Sequence, residues 1–352
     1  MITVKLKKSI VPVIISLCAL ILLFKMPDTV ASGVKSGLEI CLYTLLPSLF
    51  PFTVLCIYIV KANPFSPLYK FFAPATRLLF KQPPVAAPVI FMSLIGGFPI
   101  GAKMTSELYE NGQLTKNQAQ RLCLFCFNSG PAFAMGAVGA SVLHSRRAGV
   151  ILYASLCLSA VCAGILTSFI AEESEDMPIY NPKNTVLPLA ALTSAVSDGL
   201  KTMGVIFGWV LLFGGVGSLI GTLNIPKGLN FFLLDLSEVS VGCAKTAAEL
   251  PLPVTAAVIS FGGLCVHCQV LGFISKTELK YSRFFAVRVF CAALSALYCH
   301  LLLKVFPVEL SVFSQVQGIN TVPFSSSVTA FLAFGLTLII FAFDVDRKKK
   351  LW

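Results

Sequence analysis

Gly96-Gly97-Phe98-Pro99-Ile100-Gly101-Ala102-Lys103 interrupts an apolar run near its middle. Glycine and proline are the residues least suited to a helix interior, and a lone lysine follows them. In a water-soluble chain such a stretch is a loop. Inside an apolar run it is a helix break at membrane depth, tolerated only where protein buries it or where it lines a cavity. Freed backbone groups around a cavity at the bilayer midplane are how transporters build binding sites.

Composition makes the bilayer the solvent. Of 352 residues, 56% are hydrophobic and 12% charged, and the mean hydropathy is +0.85. A soluble domain carries about 25% charged residues. The net charge of +11 fits basic flanks facing anionic headgroups. No basic stripe with interleaved aromatics forms a separate soluble domain, which argues against nucleic acid as a partner.

Most of the twelve cysteines lie inside apolar runs, where Cys acts as a small hydrophobe. They do not form a disulfide framework. Two clusters differ: Cys123 and Cys126 as C-x-x-C, and Cys265, His267 and Cys268 as C-x-H-C. Together they offer enough ligands for a metal. No carboxylate stands beside His267 to orient it, so neither a metal nor another cofactor is expected.

Lys5, Lys7 and Lys8 precede an apolar run over 9–24, read as an uncleaved first helix. A second span runs from about Gly37 to Val60, and Pro47 and Pro51 predict a kink in it. Residues 61–84 interleave Lys61, Lys70, Arg77 and Lys81 with Phe and Leu. That pattern reads as an amphipathic segment in the interface, or as a plain basic loop. From Val85 to Ile95 runs an arm of half a hydrocarbon core, and Ala102–Glu110 returns as an amphipathic arm. The pair is either a re-entrant hairpin or a broken crossing helix. Thr115-Lys116-Asn117-Gln118 matches a capping box. Asn128-Ser129-Gly130-Pro131 then ends one helix, and Pro131 suits the first position of the next. Residues 149–170 span again.

Glu172, Glu173, Glu175 and Asp176 mark a solvated linker that divides the chain. The second half echoes the first in order: Ser197-Asp198-Gly199 opens a long run, and Pro251–Ile274 is broken at Gly262-Gly263. Residues 284–306 and 327–343 span. The chain therefore divides into an N-terminal transmembrane helix and short loop (1–36), a first repeat (37–170), an acidic linker (171–196), a second repeat (197–344) and a basic tail (345–352). The expected fold is an all-α polytopic membrane protein of two pseudo-repeats with broken helices or re-entrant hairpins, and an inverted repeat if both broken runs are re-entrant.

Several of these stretches resemble the signature of YlbJ-type sporulation integral membrane proteins, members of the nucleoside recognition, or Gate, domain superfamily. They are Leu46-Pro47-Ser48-Leu49-Phe50-Pro51-Phe52, Gly96–Lys103, Asn128–Pro131 and Met135-Gly136-Ala137-Val138. The resemblance covers most of the chain and is strongest over 37–143. It implies a plan similar to concentrative nucleoside transporters and a place in the cell membrane or forespore membrane of a spore-forming bacterium. It also implies movement of dipicolinic acid across the forespore membrane. Lys103, Arg121 and the helix N-terminus near Pro131 fit an anion. The residues alone do not choose dipicolinate over a nucleoside.

The leading expectation is a transporter of a small polar or anionic molecule. Its substrate-binding residues are Gly96, Gly97, Phe98, Pro99, Gly101 and Lys103 at the first break; Asn128, Ser129, Gly130 and Pro131 at the second; and Gly262, Gly263, His267 and Gln269 in the second half. Lys103 is expected to pair with a substrate carboxylate, or else with Glu107. The alternative class is an assembly protein, acting as a homo-oligomer or with other sporulation membrane proteins, whose breaks serve packing. An enzyme is not expected: no H-E-x-x-H or G-x-S-x-G is present, and no Asp/Glu pair lies deep in a span. No G-x-x-x-x-G-K-[ST] loop is present for ATP. Asp235, Glu238 and Glu249 are coupling candidates if they face the cavity.

Overall fold

A computed structural model describes Leu17 and residues 20–62, 66–169 and 188–308, and every regular element among them is helical. Most of the run 9–24, most of the acidic linker, the span 327–343 and the basic tail lie outside the described residues.

Helix α1 (Pro27–Ile40) opens with proline in its first turn and Asp28 near its N-terminus, where the missing amide costs nothing and the dipole favours an acid. A π-helical turn, Cys41–Leu45, leads into α2 (Leu46–Ala62). Pro27–Ile59 is one apolar span of 33 residues. The span thus starts ten residues before the expected Gly37. Gly37 is inside the helix because it lets another helix approach: a Cβ there would lie 3.2 Å from the Val210 carbonyl oxygen. The facing helix, α8 (Pro188–Gly221), likewise runs through Ser197–Gly199, so the end of the expected linker is helical. A Cβ on Gly33 would overlap the Gly214 carbonyl oxygen at 2.3 Å. Small residues hold these two backbones in contact, as is usual between membrane helices.

Residues 66–80 form α3 (Ser66–Phe80), a helix rather than a basic loop. Phe71 and Leu78 are exposed on it, and it turns by 99° into Pro84–Gly96. Such a corner suits a segment lying along the interface. Helix α4 (Ala87–Gly96) and α5 (Phe98–Glu110) follow, separated by Gly97 alone. They pack side by side, Val89 and Met92 against Ile100 and Met104.

Helix α6 (Lys116–Phe125) has its capping box in place: the Thr115 hydroxyl accepts from the Gln118 amide, and the Gln118 side chain accepts from the Thr115 amide. The chain is non-helical from Cys126 to Gly130 and resumes as a π-helical segment, Ala132–Val142. Helix α7 (Arg146–Ser168) completes the first half.

After α8 come α9 (Lys227–Ser237) and α10 (Val239–Thr246), a short pair broken at Glu238. Then α11 (Leu252–Phe261), Gly262, α12 (Gly263–Ile274) and α13 (Tyr281–Val305) follow. Leu252–Thr277 is one apolar span of 26 residues despite its break. It reads as a broken crossing helix, not a hairpin. Including one bent pair, the described residues supply five or six helices long and apolar enough to cross a membrane.

In each half a short helix pair precedes a broken run and then a long helix. By sequence order alone Gly262-Gly263 would pair with Gly96-Gly97. In the fold it lies in the run directly before the last described helix, the place that Asn128–Pro131 holds before α7. The short pair broken at Glu238 stands where the pair broken at Gly97 stands.

Candidate functional site

Each break has its own local cause. Gly97 has φ +89° and ψ 179°, a backbone state essentially confined to glycine. Gly262 caps α11 in the left-handed conformation, φ +88° and ψ −5°, the usual glycine stop. At Glu238 no glycine is needed. Its backbone is extended, φ −149° and ψ 116°, and its carboxylate caps α10 by accepting from the Val241 amide. At the π-helical turn the Ser48 hydroxyl donates to the Thr44 carbonyl oxygen.

The breaks at Gly97 and Glu238 and the π-helical turn meet at one cavity of about 50 Å³, which α12 reaches through Val266 and Gln269 rather than at Gly262; it has room for a few water molecules. Of the expected site residues it is lined by Gly97, Phe98, Pro99, Ser129, Gly130 and Gln269. Glu238, a coupling candidate in the sequence, also faces it, with Thr44, Ser48, Ile206, Val210 and Ser240, which the sequence does not mark. The Ser129 hydroxyl is buried, 1% exposed, and has no hydrogen-bond partner among the described residues. Phe98 packs on Phe127 with ring centroids 4.9 Å apart. Glu238 is the charged residue among the lining groups.

The other expected residues support the breaks from behind. Gly101 lets α5 touch the second break, since a Cβ there would lie 2.0 Å from the Cys126 carbonyl oxygen. A Cβ on Gly96 would meet the Ile100 side chain, and Pro131 starts the π-helical segment. Asn128 donates to the Phe125 carbonyl oxygen at 3.0 Å and so closes the end of α6. His267 closes the end of α11: its Nε2 is 2.9 Å from the Phe261 carbonyl oxygen and its Nδ1 is 3.1 Å from the Tyr281 hydroxyl. A carbonyl only accepts, so Nε2 carries the proton and Nδ1 accepts from tyrosine. Both nitrogens are engaged, which leaves His267 neither a free ligand for substrate nor one for metal. Gly263 presses on the other hairpin, a Cβ there lying 3.1 Å from the Val239 amide nitrogen.

Lys103 does not line the cavity. Its ammonium is 3.0 Å from the Glu107 carboxylate, one turn along α5, and stands over the Phe273 ring. Arg121 is not aimed at the break either; it donates to the Phe80 and Lys81 carbonyl oxygens at the end of α3. Among the described residues no cation lines the cavity. The anion-binding arrangement expected around these two residues is therefore replaced by a cavity with a single carboxylate.

The coupling candidates separate cleanly. Glu249 pairs with Lys227 at the surface. Asp235 accepts from the Thr246 hydroxyl, and burial raises its carboxyl to about 6. Glu238 alone of the three faces the cavity, 1% exposed. Burial pushes its carboxyl up, while the amides of Val241 and Ser240 favour its charged form.

A further group was missed because it lies far along the chain. Arg288 of α13 is 1% exposed. It donates to the Phe127 carbonyl oxygen at 2.6 Å and to that of Leu124, and its guanidinium lies 4.8 Å from the Phe127 ring centroid. The signal available was an arginine inside an apolar run, which in a membrane span is functional by default.

The chain is similar to the sporulation integral membrane protein YlbJ of Bacillus subtilis (strain 168), with 23% identity over 321 residues covering 79% of this chain and 78% of that protein. No family model matches the chain, and no solved structure does. The YlbJ-type resemblance found in the residues is supported by this similarity. With the apolar spans it identifies the chain as an integral membrane protein.

Proposed function

We propose that the chain is a sporulation-associated membrane carrier for a small polar molecule, with dipicolinic acid as the substrate that the resemblance implies. The observation that carries this reading is the meeting of three helix breaks and a π-helical turn at one mostly apolar cavity whose wall includes Ser129, a buried hydroxyl with no partner among the described residues. A buried hydroxyl without a partner costs about 1–3 kcal/mol. A fold that served packing alone would fill that place with an apolar side chain. Substrate contacts come from Ser129, Gln269 and the freed backbone at Gly97 and Gly130, and Phe98 offers a face for a flat ring. In the described conformation the cavity holds only a few waters, so binding requires the broken elements to part, as alternating access does. The two halves, matched hairpin to hairpin and broken helix to broken helix, are the proposed repeats of a Gate-like plan.

Purified protein in liposomes tests the reading with labelled dipicolinate, and with uridine as the nucleoside comparison. Saturable dipicolinate uptake is expected, falling at least about tenfold, or ~1.4 kcal/mol, in Ser129→Val, which fills the cavity without adding charge. Uridine uptake instead keeps the carrier and replaces the substrate. Uptake of neither, from protein that remains folded, overturns the proposal in favour of an assembly role.

A further inference from the structure

We infer that Glu238 is a proton-binding residue of this cavity, and that a proton enters with the substrate. The inference rests on the carrier reading above for its transport half, but the proton site stands on its own observations.

The first observation is placement. Glu238 sits at the break between α9 and α10, the second-half counterpart in element order of Gly97, and lines the same cavity as Gly97 and Ser129. The cavity wall is mostly apolar and includes Val239, Val266, Ile206 and Val210. Among the described residues no positive side chain lines the space. The titratable groups electrostatically coupled to Glu238 are Asp235 from α9, Cys243 from α10, Cys41 from the π-helical turn and Cys265 from α12. All four are acids, so none neutralises a carboxylate. An unpaired buried carboxylate is costly, and the usual relief is to take up a proton.

The second observation opposes the first. The carboxylate caps α10, accepting from the Val241 amide. Amide donors and the N-terminal dipole favour the charged form. Burial and the amide donors thus act on the same carboxyl in opposite directions, and a residue that binds and releases a proton in each cycle needs both. A third observation ties it to a ligand: Ser129, whose buried hydroxyl has no partner among the described residues, lines the same space. An anionic substrate approaching that hydroxyl meets the Glu238 carboxylate unless the carboxylate has been neutralised. One proton converts it to a carboxyl, removes the repulsion and supplies an O–H donor. Release on the other side returns the proton to water, and a dianion then crosses with one negative charge fewer.

Two measurements on the full chain in lipid decide this. Infrared spectra collected across pH should show a protonated-carboxyl C=O band growing as pH falls, missing in Glu238→Gln and shifted in Glu238→Asp. A band set that is identical in wild type and Glu238→Gln at every pH overturns the proton site. In liposomes, an inward proton gradient should drive dipicolinate above its equilibrium level, and a protonophore should abolish the accumulation. Uptake that ignores the gradient overturns coupling while leaving the carrier. A titrating Glu238 band in a protein that moves neither dipicolinate nor uridine keeps the proton site and discards the carrier reading.

Discussion

At the residue scale, Arg288 shows how a charge far from the substrate can shape the site. Its guanidinium occupies the acceptors left open where α6 ends, the carbonyls of Leu124 and Phe127, and Phe127 in turn backs Phe98 on the cavity wall. Replacing Arg288 by Met removes a buried charge but leaves these carbonyls unpaired, at roughly 1–3 kcal/mol each. Denaturation in detergent should show that loss. Arg288→Lys should not recover it, because a single ammonium does not reproduce the fork. Equal stability of wild type and both variants would show that the acceptors find other donors. His267 and Lys103 teach the complementary lesson. Both were conspicuous in the sequence as polar residues beside breaks, yet both are satisfied by neighbours, Phe261 with Tyr281 and Glu107. Residue type beside a break is legible in a sequence. Whether its hydrogen-bonding capacity is already spent depends on a partner's exact position, which is not.

At the scale of elements, the glycine breaks were legible because glycine and proline announce them, and the capping box at Thr115 because its chemistry is local. The Glu238 break was hidden: it has no glycine, and its extended backbone suits any residue. Asp235, Ser237, Glu238 and Ser240 interrupting an apolar segment were its only trace. The π-helical turn at Cys41–Leu45 left no trace at all, since such a turn is set by packing against α8 more than by composition. Gly97 and Gly101 separate two kinds of constraint. A Cβ at Gly97 meets only Leu49 at 3.2 Å and the Gly130 amide nitrogen at 3.6 Å, so Gly97→Ala costs chiefly backbone strain, about 1–3 kcal/mol. At Gly101 the Cβ would collide with backbone of the other break, and α5 must move away from α6. Thermal unfolding should therefore rank Gly101→Ala as the more damaging. The reverse order would mean that the contact between breaks yields more easily than the backbone of the tip.

At the scale of the molecule, two ion pairs join the halves at one end of the fold. Lys276 pairs with Glu110 at the end of α5, and Lys116 at the start of α6 pairs with Glu278. Gln120 adds a hydrogen bond to the Thr277 carbonyl oxygen at 2.8 Å. All these contacts cross between the α5–α6 connection and the short turn after α12, the ends of the elements that carry Gly97 and Gln269 into the cavity. Opening a path to the cavity from this end requires them to part. Exposed pairs contribute only about 0–1 kcal/mol each, so this is a latch that can open, not a permanent seam. Glu110→Lys should leave thermal stability within about 1 kcal/mol of wild type yet raise uptake from this side several-fold, and Glu110→Lys combined with Lys276→Glu should return it toward the wild-type rate. The Lys276 ammonium holds the Glu110 carboxyl below its ordinary value. The pair therefore stabilises closure fully above the ordinary glutamate range and loses that contribution as pH falls through the lowered value. Acidifying the compartment that faces this end should loosen wild type and leave Glu110→Lys unaffected. Uptake that is equal in wild type, single and double variants at every pH would show that the ion pairs decorate a surface that does not move.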